Sequence, residues 1–239
     1  MARGAALAEA IARLEERYGS GVVLPGGEYL ERGATRKLAF GIASLDALTD
    51  GGVAAGEPFL LVGAGSTGAL TLALSLVRSA QNAGGDVAWL EASASFDPLA
   101  ASFAGVDLER LLVVRVEDDE LALAATVVAR SSAFVFVVAD VVGARVSSET
   151  LGTVVTRARA AQVPLLVLAD RPFARVAIPA LELRTRDWLR EGGRLVGWRA
   201  EACRSHDSRI ASLAFAPLAL PPRALSDEGL VESRLEAVG

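Results

Sequence analysis

An apolar run, Phe59-Leu60-Leu61-Val62, stops at Gly63 and gives way after Gly68 to a leucine-rich segment. A strand that becomes a helix across a glycine-framed loop commits a chain to an α/β layer fold and marks a phosphate-binding loop. The loop spells Gly63-Ala64-Gly65-Ser66-Thr67-Gly68-Ala69-Leu70. The working pattern is Gly, four residues, Gly, Lys, then Ser or Thr. Both glycines are in place, but Ala69 stands at the lysine position and Leu70 at the hydroxyl position. The lysine reaches the β- and γ-phosphates and the hydroxyl ligates Mg²⁺. A methyl and an isobutyl group do neither. Charge-assisted contacts contribute about 1.5–3 kcal/mol each, so losing two removes about two to four decades of affinity. The sequence therefore predicts a nucleotide-binding shape without hydrolysis, with no catalytic residues, no cofactor and no metal.

The segments around the loop alternate between the two periodicities. Strands are expected at Glu57–Val62, Val87–Glu91, Leu111–Val116, Phe134–Asp140 and Leu165–Ala169. Helices are expected at Gly68–Gly84, from about Asp97-Pro98, at Asp119–Ser131 and at Ser147–Ala161, the last with Ser147 as N-cap. Continuously apolar strands between helices predict a mostly parallel sheet covered on both faces. After Pro179 the pattern turns to polar–apolar alternation in Leu181–Arg186, Leu195–Cys203 and Ile210–Phe215, with Gly192-Gly193 as a turn. That predicts an antiparallel extension of the sheet. At the N-terminus Leu7, Ile11, Leu14 and Tyr18 recur at helical spacing before Gly19, and Val22-Val23-Leu24 reads as a short strand. The expected organisation is an arm at 1–35, a core at 36–220 and a flexible tail at 221–239.

Composition narrows the chemistry. One cysteine (Cys203) and one histidine (His206) in 239 residues leave no disulfide framework and almost no material for a metal site or a Ser-His-Asp triad. The formal net charge is −5, without the basic excess of a stand-alone DNA binder. No apolar run reaches membrane-span length, and the start of the chain does not read as a signal peptide, so a cytoplasmic protein is expected. Lys37 is the sole lysine and lies far from the loop in sequence. Trp89, Trp188 and Trp198 are expected in the core or on the sheet face.

Several segments in order resemble bacterial RecA over about residues 5 to 218. They are Ala6–Ile11 through Tyr18-Gly19-Ser20-Gly21, Gly41-Ile42-Ala43-Ser44-Leu45-Asp46, Gly51-Gly52-Val53-Ala54-Ala55-Gly56, Asp97-Pro98, and Gly105-Val106-Asp107-Leu108. The resemblance implies a RecA-like core, with Asp140 in the place of the metal-binding strand-end aspartate. It places Ser93 where the family has its catalytic glutamate. It also implies that the two DNA-contacting loops are missing, leaving Arg145, Arg171 and Arg175 as isolated phosphate contacts and DNA binding weak or indirect. RecA protomers polymerise by packing an N-terminal helix and strand onto the next core, which makes Leu7, Ile11, Leu14, Tyr18, Val22 and Val23 the expected partner-binding residues.

A short RecA-like chain of this kind resembles the ImuA group, accessory proteins of damage-induced mutagenesis. That resemblance implies partnership with RecA, with an ImuB-type polymerase relative and with an error-prone C-family DNA polymerase, and a role in capping or modulating RecA filaments. Two alternatives stay open. One is a switch that holds ATP weakly, since backbone N–H groups at a helix N-terminus favour an anion. The other is a dinucleotide site, because Gly63-Ala64-Gly65-Ser66-Thr67-Gly68 also spells Gly-x-Gly-x-x-Gly and Glu91 ends the next strand.

Overall fold

The computed structural model describes residues 37–174, 176–204 and 209–216, together with Arg13. The chain divides into two compact units, Met1–Arg36 and Lys37–Gly239, and every element below belongs to the second. In order these are β1 (Lys37–Leu38), α1 (Ala43–Leu48), β2 (Val53–Ala54), β3 (Phe59–Val62), α2 (Ala69–Asn82), β4 (Asp86–Glu91), α3 (Pro98–Phe103), β5 (Leu111–Arg115), α4 (Leu121–Arg130), β6 (Phe134–Asp140), α5 (Ser148–Ala161), β7 (Leu165–Ala169), β8 (Ala180–Glu191), β9 (Arg194–Arg204) and β10 (Ile210–Phe215). A single 3₁₀ turn, Leu108–Arg110, leads into β5.

Eight strands form one sheet in the order β10-β9-β8-β3-β7-β6-β4-β5. Strands β3 to β7 run parallel, and β8 joins β3 in parallel before β9 and β10 follow antiparallel. The apolar runs are continuous because each strand buries both faces. In β6, Phe136 and Val138 join the core under α1, α2 and α3, while Val137 and Ala139 join the core under α4 and α5. Trp89 and Phe136 are the largest fully buried side chains. Helix α2 lies on the first face through Leu72, Ala73, Leu76, Val77 and Ala80, a stripe with an i, i+4 rhythm.

Local chemistry sets the boundaries. Asp97 caps α3, its Oδ1 accepting the N–H groups of Leu99 and Ala100, with Pro98 in the first turn. Ser147 caps α5 by accepting the Thr150 N–H, as its place before the first helical turn predicts. The Ser44-Leu45-Asp46 motif forms a helix of its own, α1, which periodicity over six residues is too short to reveal. Its Asp46 carboxylate accepts the N–H groups of Phe40 and Gly41 at 2.7 and 3.1 Å, holding the chain just before the helix.

Sheet and helix ends differ from the sequence expectation by one or two residues in most elements. The larger difference is β8, expected to stop at Arg186 but continuing to Glu191. A register shift between Thr185 and Asp187 absorbs Arg186 as an extra residue. The strand then continues pairing with β9, so the bulge interrupts the alternation without ending the strand. Among the described residues no helix is long and apolar enough to cross a membrane.

Candidate functional site

The loop 63–68 sits at the C-terminal end of β3, between β7 and β8, the position where ligands bind in parallel α/β sheets. Gly63 is there because nothing larger fits: an added Cβ would lie 2.3 Å from Thr67 Oγ1 and 2.8 Å from Ala69 Cβ. Gly68 is the N-cap of α2 with φ +89°, and its missing Cβ is where the Phe215 ring rests, 2.4 Å from the position such a Cβ would take. Phe215 stacks on Trp198 at 5.2 Å, and Trp198 meets Trp188 at 6.2 Å. These aromatics share one register level on β10, β9 and β8. Thr185 Oγ1 of β8 donates to the Ser66 carbonyl at 3.1 Å. The loop is therefore held from the side by the antiparallel extension. Phe215 and Thr185 carry no sequence signal of their own, because both lie more than 100 residues from the loop in the chain.

Inside the loop it is Thr67 that turns inward. The Thr67 N–H donates to the Gly65 carbonyl at 3.0 Å, and the buried Thr67 hydroxyl has no hydrogen-bond partner. Ala64, Gly65 and Ser66 are exposed, Ala69 is buried and Leu70 packs against the core beside α2. The residues present do not fit a Mg-nucleotide. The cation and hydroxyl that would engage it are replaced by apolar groups, one loop N–H is spent on its own loop, and an aromatic ring lies on Gly68.

Two carboxylates face each other across the neighbouring strands. Glu91 of β4 and Asp140 of β6 are register partners, and both are essentially fully buried. Glu91 pairs with Arg115 at 2.8 Å and accepts the Phe96 N–H at 2.8 Å. Asp140 accepts Ser95 Oγ at 2.8 Å and the Val142 N–H at 3.1 Å. The Trp89 indole N–H faces the same carboxylate without reaching good hydrogen-bond geometry. Burial pushes Asp140 above the usual carboxylate range and the Glu91 charge adds to this, against the Ser95 and Val142 hydrogen bonds. Ser93, at the place of the family's glutamate, has a buried hydroxyl without a partner. Glu91 is committed to Arg115 and Phe96, so it is not presented to a ribose as the dinucleotide reading requires.

The sign of the Asp140 shift predicts a pH effect. A carboxyl whose folded-state pKa is raised stabilises the fold below its unfolded pKa, and that contribution is lost as pH rises through the folded value. Asp140→Asn is therefore expected to raise the urea midpoint at neutral pH and to flatten the acid-side profile. A lower midpoint at neutral pH would mean the charge is held by stronger contacts than these.

The isolated arginines are distributed differently from the sequence expectation. Arg145 is exposed. Arg171 is tied locally: its guanidinium donates to the Ala144 carbonyl, lies 3.8 Å from Asp170 and sits 5.8 Å from the Phe173 ring. Arg175, Leu7, Ile11, Leu14, Tyr18, Val22, Val23 and His206 lie outside the described residues, as does the segment from 217 onward. Lys37 donates to the Asp50 carbonyl at 2.8 Å, in the turn before β2. Trp89 is core, whereas Trp188 is a sheet-face residue and half exposed.

A parallel sheet whose first loop joins a strand to the N-terminus of a helix, with an acidic residue ending a strand two places away, defines a protein of the phosphate-loop α/β class. The RecA N-terminal domain family matches residues 5–175, and the chain belongs to that family. It is 37% identical over 143 residues to the RecA protein of Roseiflexus sp. (strain RS-1), covering 59% of this chain and 40% of that protein. It is 35% identical over 147 residues to RecA of Symbiobacterium thermophilum, covering 61% and 42%. With RecA of Acidiphilium cryptum the identity is 36% over 148 residues, covering 61% and 43%. The chain thus spans about two fifths of the length of the curated relatives it matches.

Proposed function

We propose that this chain is a non-catalytic RecA-like accessory protein of DNA-damage-induced mutagenesis, of the ImuA type. It binds RecA and the polymerase partners of a mutagenic complex and caps or modulates RecA filaments. The observation that carries the reading is the loop itself, with Ala69 and Leu70 at the positions of the working groups and Phe215 resting on Gly68. A protomer with no nucleotide at its joint does not relay ATP-driven changes, so it ends or alters a filament rather than extending it.

Partner binding is assigned to two faces. The first is the N-terminal apolar stripe, Leu7, Ile11 and Leu14. The second is the outer edge of the core, where β5 is the last strand of the sheet among the described residues and Leu112 is 46% exposed, with Leu123 and Val127 of α4 at 67% and 62%. Leu123 and Val127 are one helical turn apart, so they face solvent together. Exposed apolar side chains, and a strand edge left open among the described residues, favour a protein contact. Leu123→Asp with Val127→Asp, or Leu7→Asp with Ile11→Asp, is expected to weaken binding to purified RecA by about tenfold or more. Surface-immobilised RecA and circular dichroism measure binding and folding separately. Undiminished binding by both folded double variants would remove these faces from the proposal. A chain that does not bind RecA at all would remove the accessory role.

A further inference from the structure

Asp50-Gly51 is the only Asp-Gly pair in the chain. Such a pair is chemically labile, because a glycine nitrogen approaches the preceding carboxyl with no Cβ in the way. It lies in the turn between α1 and β2, where Asp50, Gly51 and Gly52 have φ of +55°, +103° and +107°. Both reacting groups are committed elsewhere in the fold. The Gly51 N–H donates to the Asp46 carbonyl at 2.7 Å. The Asp50 carboxylate pairs with Arg204 of β9, and Arg209 lies 3.9 Å from its other oxygen. Arg204 first, then Arg209 and Lys37, hold that carboxyl below the usual carboxylate range. It stays ionised, the form whose oxygen is a poor leaving group. Its side chain is nevertheless 55% exposed, so water reaches it.

The turn leaves no room for a longer main chain. A Cβ on Gly52 would lie 2.0 Å from the Leu38 carbonyl oxygen, so the backbone there passes directly against β1. Lys37 also donates to the Asp50 carbonyl at 2.8 Å. Just beyond the turn, Val53 and Ala54 pair with Leu38 and Lys37.

We propose that Asp50-Gly51 is an isoaspartate-forming site, kept closed by Arg204 and the Asp46 carbonyl, and that its rearrangement unseats β1. The Gly51 nitrogen attacks Asp50 Cγ. The N–Cγ bond forms, the N–H proton is lost, and the carboxyl hydroxyl departs as water, leaving a five-membered imide. Water then adds back. Cleavage of the N–Cγ bond restores aspartate. Cleavage between the Gly51 nitrogen and the Asp50 main-chain carbonyl frees that carbonyl as a carboxylate and routes the chain through Cβ and Cγ. Nothing is oxidised or reduced, and the mass is unchanged. The main chain gains a methylene at residue 50, which pushes Gly52 against Leu38.

Ageing the full chain at neutral pH and physiological temperature, followed by peptide mass spectrometry with electron-based fragmentation, measures isoaspartate at each aspartate. The folded parent is expected to form it at residue 50 about tenfold or more slowly than the same chain unfolded in urea. Equal rates would show that the fold does not close the site. Arg204→Ala, with folding checked by circular dichroism, is expected to accelerate the folded chain by about fivefold or more, and Arg204→Lys to stay near the parent. No acceleration in Arg204→Ala would remove Arg204 from the proposal. Gains spread evenly over the other aspartates would also overturn it, because they would mark general loosening. Hydrogen exchange in the aged Arg204→Ala chain is expected to rise at 37–38 and 53–54 in step with the modified fraction. The same variant carrying Asp50→Glu, which cannot close a five-membered imide, is expected to keep its protection on ageing. Modified chains whose β1 still exchanges at the parent rate would overturn the unseating.

Discussion

Titration of the intact chain with Mg-ATP is expected to give no binding heat and no change in tryptophan fluorescence up to about 1 mM, weaker than the about 4.1 kcal/mol that a millimolar Kd represents. Three features act together. Ala69 and Leu70 remove the phosphate cation and the metal-ligating hydroxyl, about 3–6 kcal/mol between them. The Thr67 N–H is bonded to Gly65 at 3.0 Å rather than turned toward an incoming anion. Phe215 lies on Gly68 and connects through Trp198 to Trp188, so a ligand entering the loop would have to displace a stacked ring and report itself in the fluorescence. Ala69→Lys with Leu70→Thr is expected to recover only part of the affinity, because the ring and the inward N–H remain. Adding Phe215→Ala should recover more. Micromolar ATP binding by the parent chain would make a nucleotide switch the leading reading, and NADH binding would revive the dinucleotide one.

The alternation of apolar strands and amphipathic helices was legible from the sequence because each element carries its own period. Phe134–Asp140 and Leu165–Ala169 begin and end where their apolar runs do. The antiparallel extension was legible too, since alternation in residues 181–215 separates half-buried strands from the fully buried ones before them. The length of β8 was not, because the register shift at Arg186 breaks the alternation that announces a strand.

The loop's sequence was equally plain, but its surroundings were not. A motif read along the chain names the residues of one turn and says nothing of what packs on it from elsewhere. Phe215 and Thr185 reach the loop across the sheet, and Arg115 reaches Glu91 from the adjacent strand at register. Such contacts depend on strand order, which sequence periodicity does not encode. Glu91 shows the consequence. In sequence it reads as a strand-end acid available to a ribose, whereas the fold commits both of its oxygens to Arg115 and Phe96.

Gly52→Ala is expected to destabilise the core by about 3–5 kcal/mol, among the largest single effects available to this chain. Gly52 has φ +107°, and a Cβ there would lie 2.0 Å from the Leu38 carbonyl oxygen and 2.7 Å from its carbon. Those atoms are backbone, so no rotamer change relieves the clash. Strand β1 would have to move off β2, where Leu38 pairs with Val53, and both side chains, with Phe40, are buried in the core under α1 and α2. Gly65→Ala is the control: its φ is +63°, and nothing lies within 4 Å of the added Cβ. Left-handed strain alone should cost it about 1–2 kcal/mol. Urea unfolding should show a large fall in midpoint for Gly52→Ala and a small one for Gly65→Ala, with similar slopes. Equal losses would mean that the Gly51-Gly52 turn is held by conformational preference alone. A loss confined to Gly52 ties this motif to the seating of β1 against the face that carries α2 and the loop.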